Sequence, residues 1–274
     1  MLLSTAPTVP SPLKFTHRRL SYLAGRFINR VVTMLHYLLN FLYPPRCAVC
    51  DTGLPIDATR RVCAPCISAI EPLLPPLCRL CGTPLGAATT VEDRCGHCQA
   101  TPPAFDSARA ITRYRADKDG ASPVATLLRR HKYGLDQSLG RALAEFLDAA
   151  PALDPESYDV VIPVPLHRSR LRWRGFNQAA LLGEALARRL NCPLDVASLA
   201  RLRSTPAQTT RDRAQRARNV RRAFGVSRPA RVAGRRVLLV DDVMTTGATA
   251  DECARVLRAA GARRIDVLTL ARVL

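Results

Sequence analysis

The stretch Val237–Val240, Asp241-Asp242, Val243-Met244, Thr245-Thr246-Gly247-Ala248-Thr249 constrains this chain more than any other. Its apolar run is short and rich in β-branched residues, as in a parallel strand covered on both faces. It stops abruptly at two carboxylates and gives way to a turn of small residues. A helical pattern follows, with Ala250, Cys253, Ala254 and Leu257 on one face, closing at Gly261. Strand, turn and helix in this order predict an α/β sheet whose ligand site lies beyond the strand's carboxyl end.

The residue types at that end define a chemistry. A Thr/Gly turn exposes successive backbone N–H groups and hydroxyls, and the helix N-terminus adds its dipole, which together suit a phosphate. Two adjacent carboxylates would repel a bare phosphate. They fit if the ligand also carries hydroxyls, or a divalent metal with oxygen ligands. Phosphate, hydroxyls and metal together describe a sugar phosphate. The Lys of a Walker loop and the spacing of G-x-G-x-x-G are both missing, which disfavours nucleoside triphosphates and dinucleotides.

The stretch resembles the phosphoribosyl pyrophosphate (PRPP) motif of type I phosphoribosyltransferases. The resemblance implies that Asp241 and Asp242 are the catalytic pair facing the ribose hydroxyls. It implies that Thr245, Thr246, Gly247, Ala248 and Thr249 hold the 5′-phosphate, and that Mg²⁺ accompanies PRPP.

A second pattern lies upstream. Eight of the ten cysteines form four C-x-x-C pairs: Cys47 and Cys50, Cys63 and Cys66, Cys78 and Cys81, Cys95 and Cys98. Thiolates two residues apart in a tight turn reach one ion, and two such turns complete a tetrahedron around zinc. With no credible signal peptide, the pattern points to metal rather than disulfides, and to a cytoplasmic protein. All-thiolate ligation leaves no open position, so one or two structural Zn²⁺ ions are expected; spacing leaves the pairing open. Gly82 and Gly96 suit the sharp turns, and His97 reads as solvent-facing.

The remaining chain divides around these patterns. Residues 1–30 read as a basic tail and 31–43 as a short amphipathic helix, too short to span a bilayer. Residues 44–100 form the zinc module and 105–274 the α/β domain. Strands are predicted at 108–116, 159–165 and 263–271, and helices at 123–133 and 138–150. After Pro165 the loop LHRSRLRWRGFNQ crowds Arg168, Arg170, Arg172 and Arg174 around Trp173, then a helix runs through Ala179, Leu182, Leu186 and Leu190. Placed beside the 237–250 turn, Arg170 and Arg174 are partners for a pyrophosphate. Asn177 and Gln178 would sit at the helix start with their amides free for a ligand.

The net charge is +19, and lysine occurs only at Lys14, Lys118 and Lys132, so nearly all 41 basic residues are Arg. Such a balance favours polyanions, although an Arg bias also arises from genomic base composition. V-P-L-x-x-x-R-x-x-x-R-G-F-N-Q, the Asp-Asp motif and the four-pair cysteine module together resemble the ComF/GntX family over residues 38–274. That resemblance implies a type I phosphoribosyltransferase-like parallel sheet flanked by helices, with a small N-terminal zinc module. It implies a PRPP-binding protein linked to DNA uptake, with single-stranded DNA and the competence machinery as partners. It leaves open whether the chain is a working phosphoribosyltransferase. The alternative is a single-stranded DNA-binding competence factor with no transferase activity.

Residues 201–222 hold eight Arg against one acid, Asp212. Gln208, Arg213, Arg216, Asn219 and Phe224 match the family's pattern here. The segment reads as a loop closing over substrates, as an Arg strip tracking a nucleic-acid backbone, or as a solvated face. No residue stands out as a general base, and the acceptor of any transferred group is not visible.

Overall fold

The computed structural model describes residues 34, 42–86, 93–115, 122–133, 139–149, 153–205 and 213–274. The basic tail lies outside them, as does the 31–43 helix apart from Met34 and residues 42–43. The described residues of 46–52 and 59–274 pack as one unit. Residues 42–45 and 53–58 belong to another, within which the Leu54 N–H donates to Pro45 O at 2.8 Å.

In chain order the elements are α1 (Ala64–Ser68), α2 (Gly96–Ala100), β1 (Ser107–Arg113), α3 (Pro123–Tyr133), α4 (Leu139–Glu145), β2 (Val160–Pro163) and α5 (Arg168–Arg174). There follow α6 (Gln178–Arg189), β3 (Leu199–Arg201), α7 (Arg213–Val220), β4 (Phe224–Val226), β5 (Arg236–Met244), α8 (Ala248–Ala259) and β6 (Arg264–Arg272). The central sheet is parallel throughout, in the order β1-β6-β5-β2, while β3 and β4 form a separate antiparallel pair.

The central strands are apolar because helices cover them. Val160, Ile162, Val237, Leu239, Ile265 and Val267 share one core with Cys253, Ala254 and Leu257 of α8. Each aliphatic side chain buried this fully contributes about 1.5–3 kcal/mol. The buried apolar face of α8 is Ala250, Cys253, Ala254 and Leu257, as the 3.6-residue period required, and Glu252 is buried beside it with its Oε1 accepting the Arg222 N–H at 2.6 Å. Gly247 (φ 83°) opens that helix and Gly261 (φ 91°) follows it, both in the left-handed region that favours glycine.

At the amino ends of β2 and β5, Asp159 clamps Arg236. Its carboxylate takes the Arg236 backbone N–H at 2.8 Å and the guanidinium Nη2 at 2.9 Å. Those bonds, the side-chain pair first, pull the Asp159 carboxyl down to about 2. A depressed folded pKa stabilises above the unfolded carboxyl value and is lost as pH falls through the folded one. The acid limb of unfolding between about pH 4 and pH 2 should therefore flatten in Asp159→Asn, measured by melting temperature against pH. An unchanged acid limb would remove this pair from the account.

Two elements differ from expectation. β5 does not stop at Val240 but runs through both acids to Met244, because β6 continues to pair with it at Asp241↔Thr269, Val243↔Ala271 and Met244↔Arg272. The 166–178 stretch is not a loop throughout. Arg168–Arg174 is helical, capped by His167, whose ring nitrogen Nδ1 accepts the Ser169 N–H at 3.3 Å. Gly175 (φ 81°) ends it with its N–H on Leu171 O at 2.7 Å.

Candidate functional site

The sheet's carboxyl edge is uneven. β2 pairs with β5 only as far as Pro163↔Val240, with one further bond from Val164 N–H to Val240 O at 2.8 Å. Beyond that point β5 keeps β6 on one side only, and Asp241 and Asp242 occupy the first two positions of this extension. Strand alternation sends their side chains to opposite faces. Both residues are half-buried. The Asp242 N–H donates to Asp241 Oδ1 at 2.8 Å, and the Val243 N–H to Asp242 Oδ1 at 2.7 Å.

The turn after β5 leaves a helix N-terminus beside a small hollow. Gly247 opens α8 without a side-chain cap, and the Ala248 N–H approaches Thr246 Oγ1 at 3.4 Å. Asp241, Thr245, Gly247, Ala248, Thr249 and Thr269 line a small pocket here. Helix N-terminal N–H groups around such a hollow attract phosphate.

α5 and the foot of the 201–222 segment meet at Thr205, within the electrostatic reach of Asp241. Arg170 Nη2 donates to Thr205 O at 3.3 Å, and Arg201 Nη2 donates to Thr205 Oγ1. The Arg201 guanidinium also lies 5.3 Å from the ring centre of buried Phe224. Burial, then the neighbouring Arg170, pushes the Arg201 guanidinium down, while Cys253 and Asp241 act the other way. Arg201, Arg170 and Asp241 thus share one electrostatic environment. Sequence reasoning left Arg201 within an undifferentiated Arg-rich segment; its position at the end of an alternating Leu-Ala-Arg strand was the available signal.

Other residues expected at the site have structural partners. Asn177 caps α6, its Oδ1 accepting the Ala179 N–H at 3.1 Å and its Nδ2 donating to Val164 O at 3.0 Å. Gln178 is 2% exposed and its Oε1 accepts Arg174 Nη1 at 2.8 Å. Both sit at the helix start as read; the Asn177 amide is engaged by the fold at both ends, whereas Gln178 Nε2 is buried with no hydrogen-bond partner among the described residues. Arg213 opens α7, and Gln208 lies outside the described residues.

The cysteines gather into two groups, Cys47/Cys50/Cys63/Cys66 and Cys78/Cys81/Cys95/Cys98, with the Sγ atoms of each within 4.8 Å of one another. Consecutive pairs therefore combine, which spacing had left open. Four thiolates at this separation fit tetrahedral zinc with no open position, a structural donor set. His97 is exposed and stands outside both groups. Gly96 lies in α2, where an added Cβ would meet nothing within 4 Å, so the sharp turn expected of it is not what places it.

The second group is seated on the sheet. Arg272 is 4% exposed and donates from Nη1 to Cys81 O at 2.7 Å and from Nη2 to Thr83 Oγ1 at 2.6 Å. The Ala108 N–H of β1 donates to Leu80 O at 2.6 Å. Gly82 (φ 70°) packs so closely that a Cβ there would lie 2.5 Å from Ala108 O. The first group is tied at its margin: Glu145 accepts the Arg61 and Val62 N–H groups at 2.6 and 3.0 Å.

Two zinc-type cysteine groups joined to a parallel sheet with a Thr-Gly turn define a zinc-ribbon protein with a phosphoribosyltransferase-like domain. A family model described as a double zinc ribbon domain matches residues 38–99, and one described as a phosphoribosyl transferase domain matches residues 177–274. A DNA utilization protein, YhgH, from Escherichia coli O157:H7 is 34% identical over 203 residues, 72% of this chain and 85% of the relative. Competence protein F from Haemophilus influenzae is 32% identical over 241 residues, 86% of this chain and all of the relative. The chain belongs to the ComF family. Among solved structures, a glutamine PRPP amidotransferase from B. subtilis is 23% identical at a TM-score of 0.32, covering 57% of this chain and 29% of that one.

Proposed function

We propose that this protein binds PRPP at the carboxyl end of β5, in a role connected with the use of incoming DNA. The observation that carries the reading is the extension of β5 beyond β2, which leaves Asp241 and Asp242 beside an open edge and ahead of an anion-binding turn. In this reading the turn 245–249 holds the 5′-phosphate and the two carboxylates hold the ribose hydroxyls. Arg170 and Arg174 stand on the pyrophosphate side. Carboxylate and hydroxyl oxygens suit a hard divalent cation, so Asp241 and Asp242 would be the residues to hold an Mg²⁺ accompanying PRPP, and the ion would supply positive charge against its phosphates. Carboxylates next to C1 would favour positive charge developing there, and α7 would help shield the site from water. Names among the relatives, DNA utilization and competence, support the DNA-linked role. Among the described residues no helix is long and apolar enough to cross a membrane. Eight thiols gathered as metal ligands support a reducing, cytoplasmic setting.

Calorimetric titration of PRPP into zinc-loaded protein tests the reading. Saturable binding that strengthens with Mg²⁺ is expected, and an absence of heat at every concentration would overturn it.

A second reading, single-stranded DNA binding, has its own observation. Trp173 is 62% exposed on a helix that also carries Arg168, Arg170 and Arg172, and Arg203, Arg218, Arg221 and Arg222 line a further open hollow. Exposed aromatics among guanidiniums stack bases at about 1–3 kcal/mol per base. Trp173→Ala should therefore weaken oligonucleotide binding about tenfold while preserving the salt slope, which the Arg residues set. An unaltered dissociation constant would take Trp173 out of the DNA surface.

A further inference from the structure

The two cysteine groups are near copies in geometry and opposites in surroundings. In the first, the Cys47 N–H donates to Thr52 O at 2.8 Å and the Asp51 N–H to Cys47 O at 2.9 Å. In the second, the Cys78 N–H donates to Thr83 O and the Gly82 N–H to Cys78 O, both at 2.8 Å. Cys50 Sγ lies 3.6 Å from Cys63 Sγ and 3.2 Å from Thr52 Oγ1, and Cys81 Sγ repeats both distances to Cys95 Sγ and Thr83 Oγ1. Asp51 (φ 64°) and Gly82 (φ 70°) take the same left-handed turn. With backbone and donor set alike, access decides which group meets a reagent arriving from solvent. We propose that the first group is an oxidation site, where a hydroperoxide converts Cys50 and Cys63 to a disulfide, while the fold protects the second group. This site is independent of the sugar-phosphate reading.

Cys50 is exposed and Cys63 half-buried, so a reagent reaches one sulfur and the second stands beside it. Asp51 at the left-handed position is exposed as well, its carboxylate 3.4 Å from Arg46 Nη1. At the matching position of the second group, a Cβ on Gly82 would lie 2.5 Å from Ala108 O, so β1 closes over that turn. Cys78, Cys81 and Cys98 are buried and pack with Leu80 and Leu85. Arg272 donates to Cys81 O and Thr83 Oγ1, so the turn cannot swing out without stranding a buried charge. Cys95 is half-buried, but its neighbour Cys81 is shielded.

Ligation to zinc requires both sulfurs as thiolates. Cys50 Sγ attacks one oxygen of hydrogen peroxide and breaks the O–O bond, giving a sulfenic acid and hydroxide. Cys63 Sγ then attacks Cys50 Sγ, forming the S–S bond and expelling a second hydroxide. Two electrons pass from sulfur to peroxide, and two protons from solvent complete two waters. Cys47 and Cys66 remain, too few for a tetrahedral site, so the first group loses its ion. What the group holds at its margin then loosens: Glu145 on the Arg61 and Val62 N–H groups just ahead of Cys63, and Arg130 on Ala48 O just after Cys47.

Hydrogen peroxide titrated into the full-length, zinc-loaded chain, with a colorimetric zinc chelator present, tests the site. Cysteines are then alkylated and mapped by mass spectrometry. Zinc should leave one of the two groups first, with Cys50–Cys63 as the disulfide that forms. The second ion should follow at least about tenfold more slowly, because its group must open before peroxide enters. Dithiothreitol with added zinc should restore the starting protein, as a disulfide allows and a sulfinic acid does not. In the oxidised form, amide hydrogen exchange should rise in α3 and α4 and stay constant in β6. Glu145→Gln weakens the acceptor for Arg61 and Val62 without touching a cysteine, so it should hasten the first release and leave the second unchanged. The proposal is overturned if both ions leave together, if the second group yields first, or if the mapped disulfide omits Cys50 or Cys63. It is equally overturned if peroxide releases no zinc from the folded chain. A failure of PRPP to bind the same samples would leave this site standing.

Discussion

Cys81→Ser is expected to abolish the cooperative thermal transition of this protein, whereas Cys50→Ser should lower its midpoint and leave a folded domain. Zinc binding to a four-thiolate site is worth about 10–16 kcal/mol, comparable to the whole stability of a typical domain. What differs between the two groups is what each one holds. Cys78 and Cys81 are buried and their turn is built into the sheet, through Arg272 to Cys81 O, Arg109 Nη1 to Arg79 O at 3.1 Å, and Ala108 N–H to Leu80 O. If the turn opens, buried Arg272 loses its acceptors, and an unpaired charge in the core costs several kcal/mol. Arg272 also donates to Met244 Sδ at 2.7 Å, and Met244 immediately precedes the turn 245–249. Damage to the second group should therefore reach the proposed PRPP site. Cys50 is exposed, and its group meets the rest of its unit chiefly through Glu145 and through Arg130 Nη1 on Ala48 O at 3.0 Å. Metal analysis with thermal circular dichroism checks the contrast. If Cys81→Ser melted like the unsubstituted protein, the second group would not be part of the fold's foundation.

The elements legible in the sequence were those with one dominant period. The uniform apolar run at 237–240 and the i, i+3, i+4, i+7 face of α8 left little choice of structure, and the buried residues match them. The end of β5 was not legible, because Asp241 and Asp242 look like a stop signal and only the register with β6 carries the strand past them. The α5 helix was hidden for a related reason. It buries no residue, so it has no apolar stripe to announce it, and its caps, His167 and Gly175, are local events. Cysteine spacing announced two metal groups but could not assign their pairing, since sequential and crossed combinations use the same turns. Arg170 and Arg201 converge on Thr205 from opposite sides of α6 in the chain, a meeting that only tertiary packing produces. Buried Arg272 ran against composition, because a charged residue at the end of an apolar strand reads as exposed until its partners are known.

The largest functional effect should come from converting Asp241 and Asp242 together to Asn. The amide oxygen of Asn can still accept the Asp242 and Val243 N–H groups that the carboxylates now take at 2.8 and 2.7 Å, so the strand end should keep its shape. What disappears is negative charge. Asp241 presently offsets the mutual repulsion of Arg201 and Arg170, so a modest loss of thermal stability is expected. In the PRPP reading the loss of affinity is far larger, because ribose hydroxyls lose two charged acceptors and Mg²⁺ loses its carboxylate neighbours. Bonds to charged groups contribute about 1.5–3 kcal/mol each, so at least a hundredfold weaker PRPP binding is expected. Oligonucleotide affinity should move the other way or stay constant, since removing two negative charges from a chain of net charge +19 cannot repel a polyanion. Zinc content should not change. Parallel calorimetric and oligonucleotide titrations of the double variant therefore divide the two readings. Lost PRPP with retained DNA places the sugar phosphate at β5, while retained PRPP would mean that the paired acids serve the strand and the ligand sits elsewhere.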